Sequence, residues 1–367
     1  MKITLSDEQR LLLETAQSFF IDRCPIEQTR KNMSNGKFDQ SLWQEMVELG
    51  WAGVNIPEEF GGLGLGIESL VPIVESMGRF VVGSPIKSTA VAAGLISSFG
   101  TYEQKSIYLP RIVKGEIASI GFIEENGAWD DGFVETVAEL RDGGFSLTGK
   151  KCFVTDVDCS SLVLVSAKVK NETNIFIIET SEIPEGLVKR EVVIDETVRS
   201  FQIDLNGLFI GENQVLGSGS NRLADLSSLL LNAAEMSGGV SGVLQLTVDY
   251  LKNRKAFDRL IGSYQSLKHP MVDILISSEA LRSHLYYAAN CLSSGPDKEA
   301  EIAIRMASAS GSEAFAYASD RAIQFHGGFG FTYDCNAQLY MRRALWCQYQ
   351  GGDQVYQKKL LETLLLD

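Results

Sequence analysis

The feature that most constrains this chain is a double change of hydrophobic texture along its 367 residues, helical at both ends and strand-like in between. The opening "LSDEQRLLLETAQSFF" puts Leu5, Leu12, Ala16, Phe19 and Phe20 at helical spacing, with Ser6 and Gln9 in a capping-box pattern. Further helical runs follow in "DQSLWQEMVEL", "IESLVPIVESMGRF" and "TYEQKSIYLPRIV", with the Gly-rich break Pro57 to Gly66 after the first of them. From Ala118 the texture becomes short β-branched and aromatic runs broken by turn residues, and Asp142-Gly143 reads as a hairpin turn. Beyond Gly219 long helical segments return, first "RLADLSSLLLNAAEMSGGVSGVLQLTVDYLKNRKAF", then Ser266 to Leu292, then Asp297 to Phe325. Small residues crowd the last of these and favour close helix packing. The expected fold class is α+β, with an N-terminal helical domain (1–116), a middle antiparallel β domain (117–219) and a C-terminal four-helix bundle (220–367).

Composition removes several function classes. With 47 acids against 33 bases the formal charge is -14, which argues against a general nucleic-acid or anionic-membrane surface. An anionic ligand must then be bound by a local group. Cys24, Cys152, Cys159, Cys291, Cys335 and Cys347 show neither a CxxC pair nor a regular spacing, and His269, His284 and His326 lack metal-ligand spacing, so no metal is expected. The start "MKITLSDEQR" has no apolar core of a secretory leader, and no stretch reaches the ~20 apolar residues that span a bilayer. Reduced thiols and a cytoplasmic location are expected. No GxGxxG follows a strand, and neither a P-loop nor a GxSxG elbow is present.

Chemistry concentrates in separated pieces of the last third. In "YLKNRKAFDRLIGSYQSLKH", Arg254, Lys255 and Arg259 form a basic group beside Phe257, with Gln265 shortly after. Such a group suits a diphosphate, and by itself it also suits a solvated helix end. In "AIQFHGGFGFTYD", Gln324 precedes Gly327, Gly328 and Gly330, which would let backbone N–H groups approach a phosphate or simply cap a helix.

Taken with the order of domains, these pieces resemble the acyl-CoA dehydrogenase family along essentially the whole chain. The family's Arg-x-x-Phe-Gly and following Gln are matched by Arg254 to Phe257 and Gln265, its Ala-Ile-Gln-x-x-Gly-Gly element by Ala322 to Thr332, and its Met-Arg-Asp-Ala stretch by Met341 to Ala344. The strand "LTGKKCFVTD" is similar to the family's Gly-x-Lys-x-Trp-Ile-Thr-Asn, which puts Phe153 on the tryptophan beside the flavin and Thr155 on its threonine. The resemblance implies the acyl-CoA dehydrogenase fold, an FAD cofactor, an acyl-CoA substrate, a tetrameric oxidoreductase of lipid metabolism, and α-proton removal by a carboxylate while a β-hydride passes to the flavin. It implies cofactor-binding roles for Arg254, Phe257, Gln265, Gln324, Gly327, Gly328, Phe153 and Thr155.

Against that pattern the chain departs at its own half of the site. In "QYQGGDQ", Gln348 to Gln354, gapless counting sets Gly351 on the family's glutamate base, and the alternative base position near Ser228 and Leu229 carries no acid. No catalytic residue is therefore assigned. Asp225, Glu235 and Asp353 are substitutes by type, each read as a helix-surface or capping carboxylate. The family's Thr-Glu-Pro-x-x-Gly-Ser-Asp loop stands here as Glu124 to Asp131, with its Thr and Ser replaced by acids. Asp258 replaces a glycine and brings negative charge near a diphosphate, while Arg343, where an aspartate is usual, is either a compensation or a surface change.

In the family the Arg-x-x-Phe, Gln and Gly-Gly elements reach the flavin of the neighbouring subunit. The expectation is a subunit of a heteromeric acyl-CoA dehydrogenase whose paralogous partner supplies the base, a form the family takes in bacterial enzymes for bulky acyl groups such as steroid side chains. Two alternatives stay open: a self-sufficient flavin monooxygenase or oxidase of the same fold, and a non-enzymatic acyl-binding scaffold subunit.

Overall fold

At Asp142 and Gly143 the backbone does what the sequence asks, both residues having positive φ (37° and 83°) and Arg141 lying opposite Gly144. The computed structural model describes residues 7–217 and 219–366; Leu5 and Ser6, and with Ser6 the capping box, lie outside them. The helices before the sheet are α1 (Asp7–Arg23), α2 (Ile26–Asn35), α3 (Gln40–Glu48), α4 (Val71–Arg79), α5 (Ile86–Phe99) and α6 (Tyr102–Val113). The strands are β1 (Ala118–Gly121), β2 (Val137–Arg141), β3 (Gly144–Thr148), β4 (Lys150–Thr155), β5 (Leu162–Val169), β6 (Glu172–Glu179), β7 (Val188–Glu191), β8 (Ser200–Asp204) and β9 (Phe209–Gly211). After them come α7 (Ser220–Asn253), a two-stranded ribbon β10 (Lys255–Ala256) and β11 (Arg259–Leu260), α8 (Gln265–Ser293), α9 (Lys298–Phe325), α10 (Ala337–Gln348) and α11 (Gln354–Leu366). Two compact units contain these elements, one made of Met1–Ser34, Val71–Val82 and Leu229–Asp367, the other of Asn35–Leu70 and Gly83–Ser228.

In the second unit β5 is the central strand, antiparallel to β6 along eight residue pairs and parallel to β1. The β domain is thus antiparallel apart from β1 against β5 and a single parallel contact of β2 with β5. A second sheet, β4-β8-β7, is antiparallel throughout. Val163, Val165, Phe176, Ile178, Phe201 and Ile203 form the core of the β domain with their neighbours, and β5 is buried on both faces from Leu162 to Ala167. The β domain also buries an ion pair. Lys151 is fully buried, and its Nζ lies 2.5 Å from Glu124 Oε1 and 3.0 Å from Ser166 Oγ. Glu124 also accepts from the Thr136 amide and hydroxyl and from the Glu135 amide. Burial alone would raise this carboxyl, but the charge and hydrogen bonds of Lys151, with those of Thr136 and Glu135, outweigh it and hold it below its ordinary range.

In the first unit the helices pack closely because glycines remove side chains where backbones meet. A Cβ on Gly238 or Gly242 of α7 would overlap the carbonyl oxygens of Glu75 and Arg79 in α4, and one on Gly78 would overlap that of Glu235. Two buried carboxylates flank this crossing. Glu75 accepts from Ser237 Oγ (2.9 Å), Arg282 Nε (3.1 Å) and Tyr286 Oη (2.7 Å). Glu235 pairs with Arg343 of α10, whose guanidinium also donates to the carbonyl of Val82. The structure corrects two expectations here. Glu235 and Arg343 are 2% and 1% exposed, so Glu235 is no surface or capping acid, and Arg343 is neither a surface change nor a counter-charge for Asp258. Each side chain neutralises the other in a medium that neither could enter alone.

The Glu124–Lys151 pair gives a direct test. Glu124→Gln, which leaves a buried ammonium without its counter-charge, should cost roughly 3–5 kcal/mol, and adding Lys151→Met should recover most of it. Urea titration and hydrogen exchange in β3 to β6 would measure both. Because the folded carboxyl lies below its unfolded value, the contribution of Glu124 is present above about pH 4 and is lost as pH falls through the folded value.

Candidate functional site

Helix α7 ends at Asn253 rather than running on through Phe257 as its texture suggested, because the chain turns at Phe257 and Asp258, both at positive φ (53° and 59°). Ala256 faces Arg259 across this two-residue loop, a geometry for which glycine is the ordinary choice. A bulky residue there is strained by about 1–3 kcal/mol, and such strain collects at functional tips. The result is a hairpin that holds the Phe257 ring 90% exposed, with Arg254, Lys255 and Arg259 exposed around it. Their side chains make no ion pair among the described residues.

The second piece stands beside the first. Tyr250, one turn before the hairpin, stacks on His326 with ring centroids 4.2 Å apart and planes at 26°. His326 closes α9, exposed Gln324 lies in its last turn, and Gly327 and Gly328 follow on the surface. The three glycines of this turn differ in what demands them. Gly327 has φ 63°, which disfavours a side chain, and a Cβ on Gly330 would overlap the Ile323 carbonyl. Gly328 has neither restriction, with nothing within 4 Å of where its Cβ would lie. Gln265, the first residue of α8, is also exposed. Arg254, Phe257, Gln265, Gln324, Gly327 and Gly328 therefore all belong to the outer surface of one unit, and the stack joins the elements that carry most of them. The Tyr250–His326 contact itself was not legible, since the two rings lie 76 positions apart.

In the β unit, Phe153 sits at an irregularity of β4 between Lys151 and Val154, with φ 56° and 40% of its surface exposed. Its amide donates to Glu191 Oε2 at 2.8 Å. A bulge of this kind turns a side chain out of the ladder. Thr155, half-buried, is paired with Ser200 of β8. Of the loop acids, Glu124 is buried and spent on Lys151, while Glu125 and Asp130 are exposed. Asp156 follows at φ 57°, buried beside Arg199 (3.6 Å). Burial raises its carboxyl, Arg199 opposes this and Asp158 adds to it, leaving it pushed up to about 7.

The base position holds no acid and is narrowed by a leucine. Gly351 and Gly352 have φ 88° and 104°, and a Cβ on Gly351 would lie 2.8 Å from Leu229 Cδ2. Leu229, which follows Ser228 at the alternative base position, is 1% exposed and packs there as hydrocarbon. The loop backbone is tied from two sides. Asn232 Nδ2 donates to the carbonyls of Cys347 (2.9 Å) and Gln350 (3.3 Å), and Gln357 Nε2 donates to that of Gly351 (2.5 Å). Arg305 holds the Gln357 amide oxygen at 3.1 Å and is itself held by Glu301. Asp353 accepts from the Tyr356 amide at the start of α11, a capping carboxylate as expected, and Asp225 is half-buried on α7. Sequence reasoning found the empty position but not Asn232, Arg305 and Gln357, which carry no local pattern. Among the described residues no cluster of metal-binding side chains occurs, and no helix is long and apolar enough to cross a membrane.

Gly351→Glu should accordingly fail as a repair. Positive φ and the contact with Leu229 together cost roughly 2–4 kcal/mol, visible as a lower thermal midpoint, with little dehydrogenation gained. Asp156→Asn should behave in the opposite sense. The carboxyl's raised folded value makes its contribution present below about pH 4 and lost as pH climbs towards 7. The amide, which is the family's residue at this place, should flatten that decline and leave the β unit more stable than the wild type at pH 8, as thermal melts across pH would record.

The chain matches the acyl-CoA dehydrogenase N-terminal domain over residues 6–116 and the C-terminal domain over residues 229–365. Acyl-CoA dehydrogenase FadE12 of Mycobacterium tuberculosis is 28% identical over 357 residues, covering 93% of this chain and 91% of the relative. Among solved structures, a variant of the Tcur3481-Tcur3483 steroid ACAD superposes with a TM-score of 0.90 at 27% identity, covering 99% of each chain. The FAD complex of PigA shares the fold at a TM-score of 0.88 and 23% identity, covering 100% of this chain and 99% of that one. The chain belongs to the acyl-CoA dehydrogenase family, whose cofactor is FAD.

Proposed function

We propose that this chain is the base-free subunit of a heteromeric acyl-CoA dehydrogenase, which lends half of a flavin site to a paralogous chain and receives the catalytic carboxylate from it. One observation carries the reading. The base position holds a glycine at positive φ with a Leu229 methyl packed against it, while the elements a family member offers to its neighbour stand exposed, with three cations that have no acidic partner among the described residues. The Tcur3481-Tcur3483 steroid ACAD, named for two chains, supports such an assembly and a bulky acyl-CoA substrate. In this reading the pairing builds a tetramer, the location is cytoplasmic, and the three domains keep the boundaries 1–116, 117–219 and 220–367.

The residues present fit the cofactor. Arg254, Lys255 and Arg259 supply positive charge for a diphosphate, and the amides of Gln265 and Gln324 supply donors and acceptors. Gly328, which nothing among the described residues requires to be glycine, leaves room for an outside group to reach the backbone N–H. Phe257 gives the flavin's neighbourhood an apolar wall, and Phe153 and Thr155 offer a second, separate wall on the β unit. FAD, when bound, accepts the β-hydride of the acyl thioester. This chain's part is to hold charge, exclude water with its aromatic rings and keep its own base position apolar, so that α-proton removal is left to the partner's carboxylate.

Phe153 also supports a second reading, a self-sufficient flavin monooxygenase or oxidase, since its exposed ring at the bulge preserves an aromatic flavin wall on this chain. Expression decides between them. The chain purified alone should be colourless and inactive towards acyl-CoA, and co-expression with a paralogous acyl-CoA dehydrogenase chain should give a yellow complex that forms enoyl-CoA. A homomer with stoichiometric FAD that consumes oxygen and forms no enoyl-CoA would establish the second reading instead. Acyl-CoA binding in a complex without flavin would point to the scaffold alternative.

A further inference from the structure

The Tyr250–His326 stack lies under the exposed pieces rather than among them, and its connections explain why it matters. His326 Nδ1 is 2.7 Å from the Ala322 carbonyl oxygen, which can only accept, so Nδ1 carries the proton and the ring is oriented by its own helix. The residue is 5% exposed, and burial holds its pKa below the ordinary range despite that hydrogen bond. On one side Tyr250 donates its hydroxyl to the His326 carbonyl at 3.5 Å, and its own carbonyl accepts from the Arg254 amide at 2.9 Å. The Arg254 carbonyl in turn accepts from the Ile261 amide at 2.8 Å, which closes the base of the hairpin. On the other side His326 leads directly into Gly327, and Gly330 folds back so closely that its Cβ would lie 3.1 Å from His326 Cβ. The hairpin and the glycine turn are both short, exposed and poor in core contacts of their own, so their relative position needs an internal reference.

We propose that Tyr250 and His326 form a positioning pair that fixes the basic hairpin and the Gly327–Gly328 turn relative to each other, so that Arg254 and the Gly328 amide can meet one anionic group together. The cofactor consequence rests on the proposed function; the coupling of the two segments does not. A stacked aromatic pair contributes modestly beyond its buried area, and removing it should move two segments far apart in sequence by a similar factor.

The test uses the complex assembled with the co-expressed paralogous chain, with variants Tyr250→Leu, His326→Leu and His326→Phe. Hydrogen exchange in 255–260 and 327–332 should accelerate together in the two leucine variants, by about fivefold to tenfold, with FAD released faster by a similar factor. His326→Phe, which keeps a ring in the stack, should stay near the wild type in both readouts, and exchange in the middle of α8 and α9 should be unchanged throughout. Acceleration confined to the segment that carries the substitution, or an equal loosening of every helix, would overturn the inference. A wild-type complex with coupled exchange but no flavin to release would sustain the pair's positioning role and overturn the proposed function alone.

Discussion

The crossing of α4 on α7 is the contact to which the rest of the helical unit is referred. Carbonyls of Glu75 and Arg79 occupy the space that side chains at Gly238 and Gly242 would fill, so the two helices meet backbone to backbone. The two carboxylates beside the contact are buried, and Glu75 and Glu235 are held by Arg282, Tyr286 and Arg343. Breaking one of these partners strands a charge, which makes the crossing rigid in a way that leucine packing alone would not be.

From that fixed middle α7 presents a different task at each end. Near its start Leu229 and Asn232 close the loop of Gly351, one by filling volume and the other by binding two carbonyls. At its far end Tyr250 sets the hairpin against the glycine turn. A single 34-residue helix thus carries both the leucine packed against the vacant base position and the support for the surface that faces outward. The loop that lacks a carboxylate at 351 is held by a hydrogen-bonded chain of Gln357, Arg305 and Glu301.

The β unit follows the same logic with other residues. Glu124 reads in sequence as an acid intruding on a flavin loop, yet it faces inward and neutralises Lys151. Asp156, just past the end of β4, sits close to Arg199 without matching it well, and its carboxyl remains prone to protonation near neutrality. Both acids look alike in a composition count. Their depth and partners separate a stabilising charge from a costly one.

Much of the architecture was readable because it rests on period and local chemistry. The helical runs at Leu12 to Phe20 and Asp297 to Phe325, the short β-branched and aromatic runs after Ala118 and the Asp142-Gly143 turn all fold as their texture directs. Helix α5 offered little period, since it is buried on nearly every side, and the hairpin at Phe257-Asp258 offered no glycine to announce it. The glycine pair at 351 and 352, and the basic and aromatic residues around Phe257, were visible as types at positions. Residue order alone thus declares which chemical groups this chain possesses and where a carboxylate is lacking. What fills that vacancy, which acids are buried and which rings support the exposed turn were settled by packing. Those outcomes depend on contacts between residues far apart in the chain, as Glu235 and Arg343 are at 108 positions, and no local pattern encodes them.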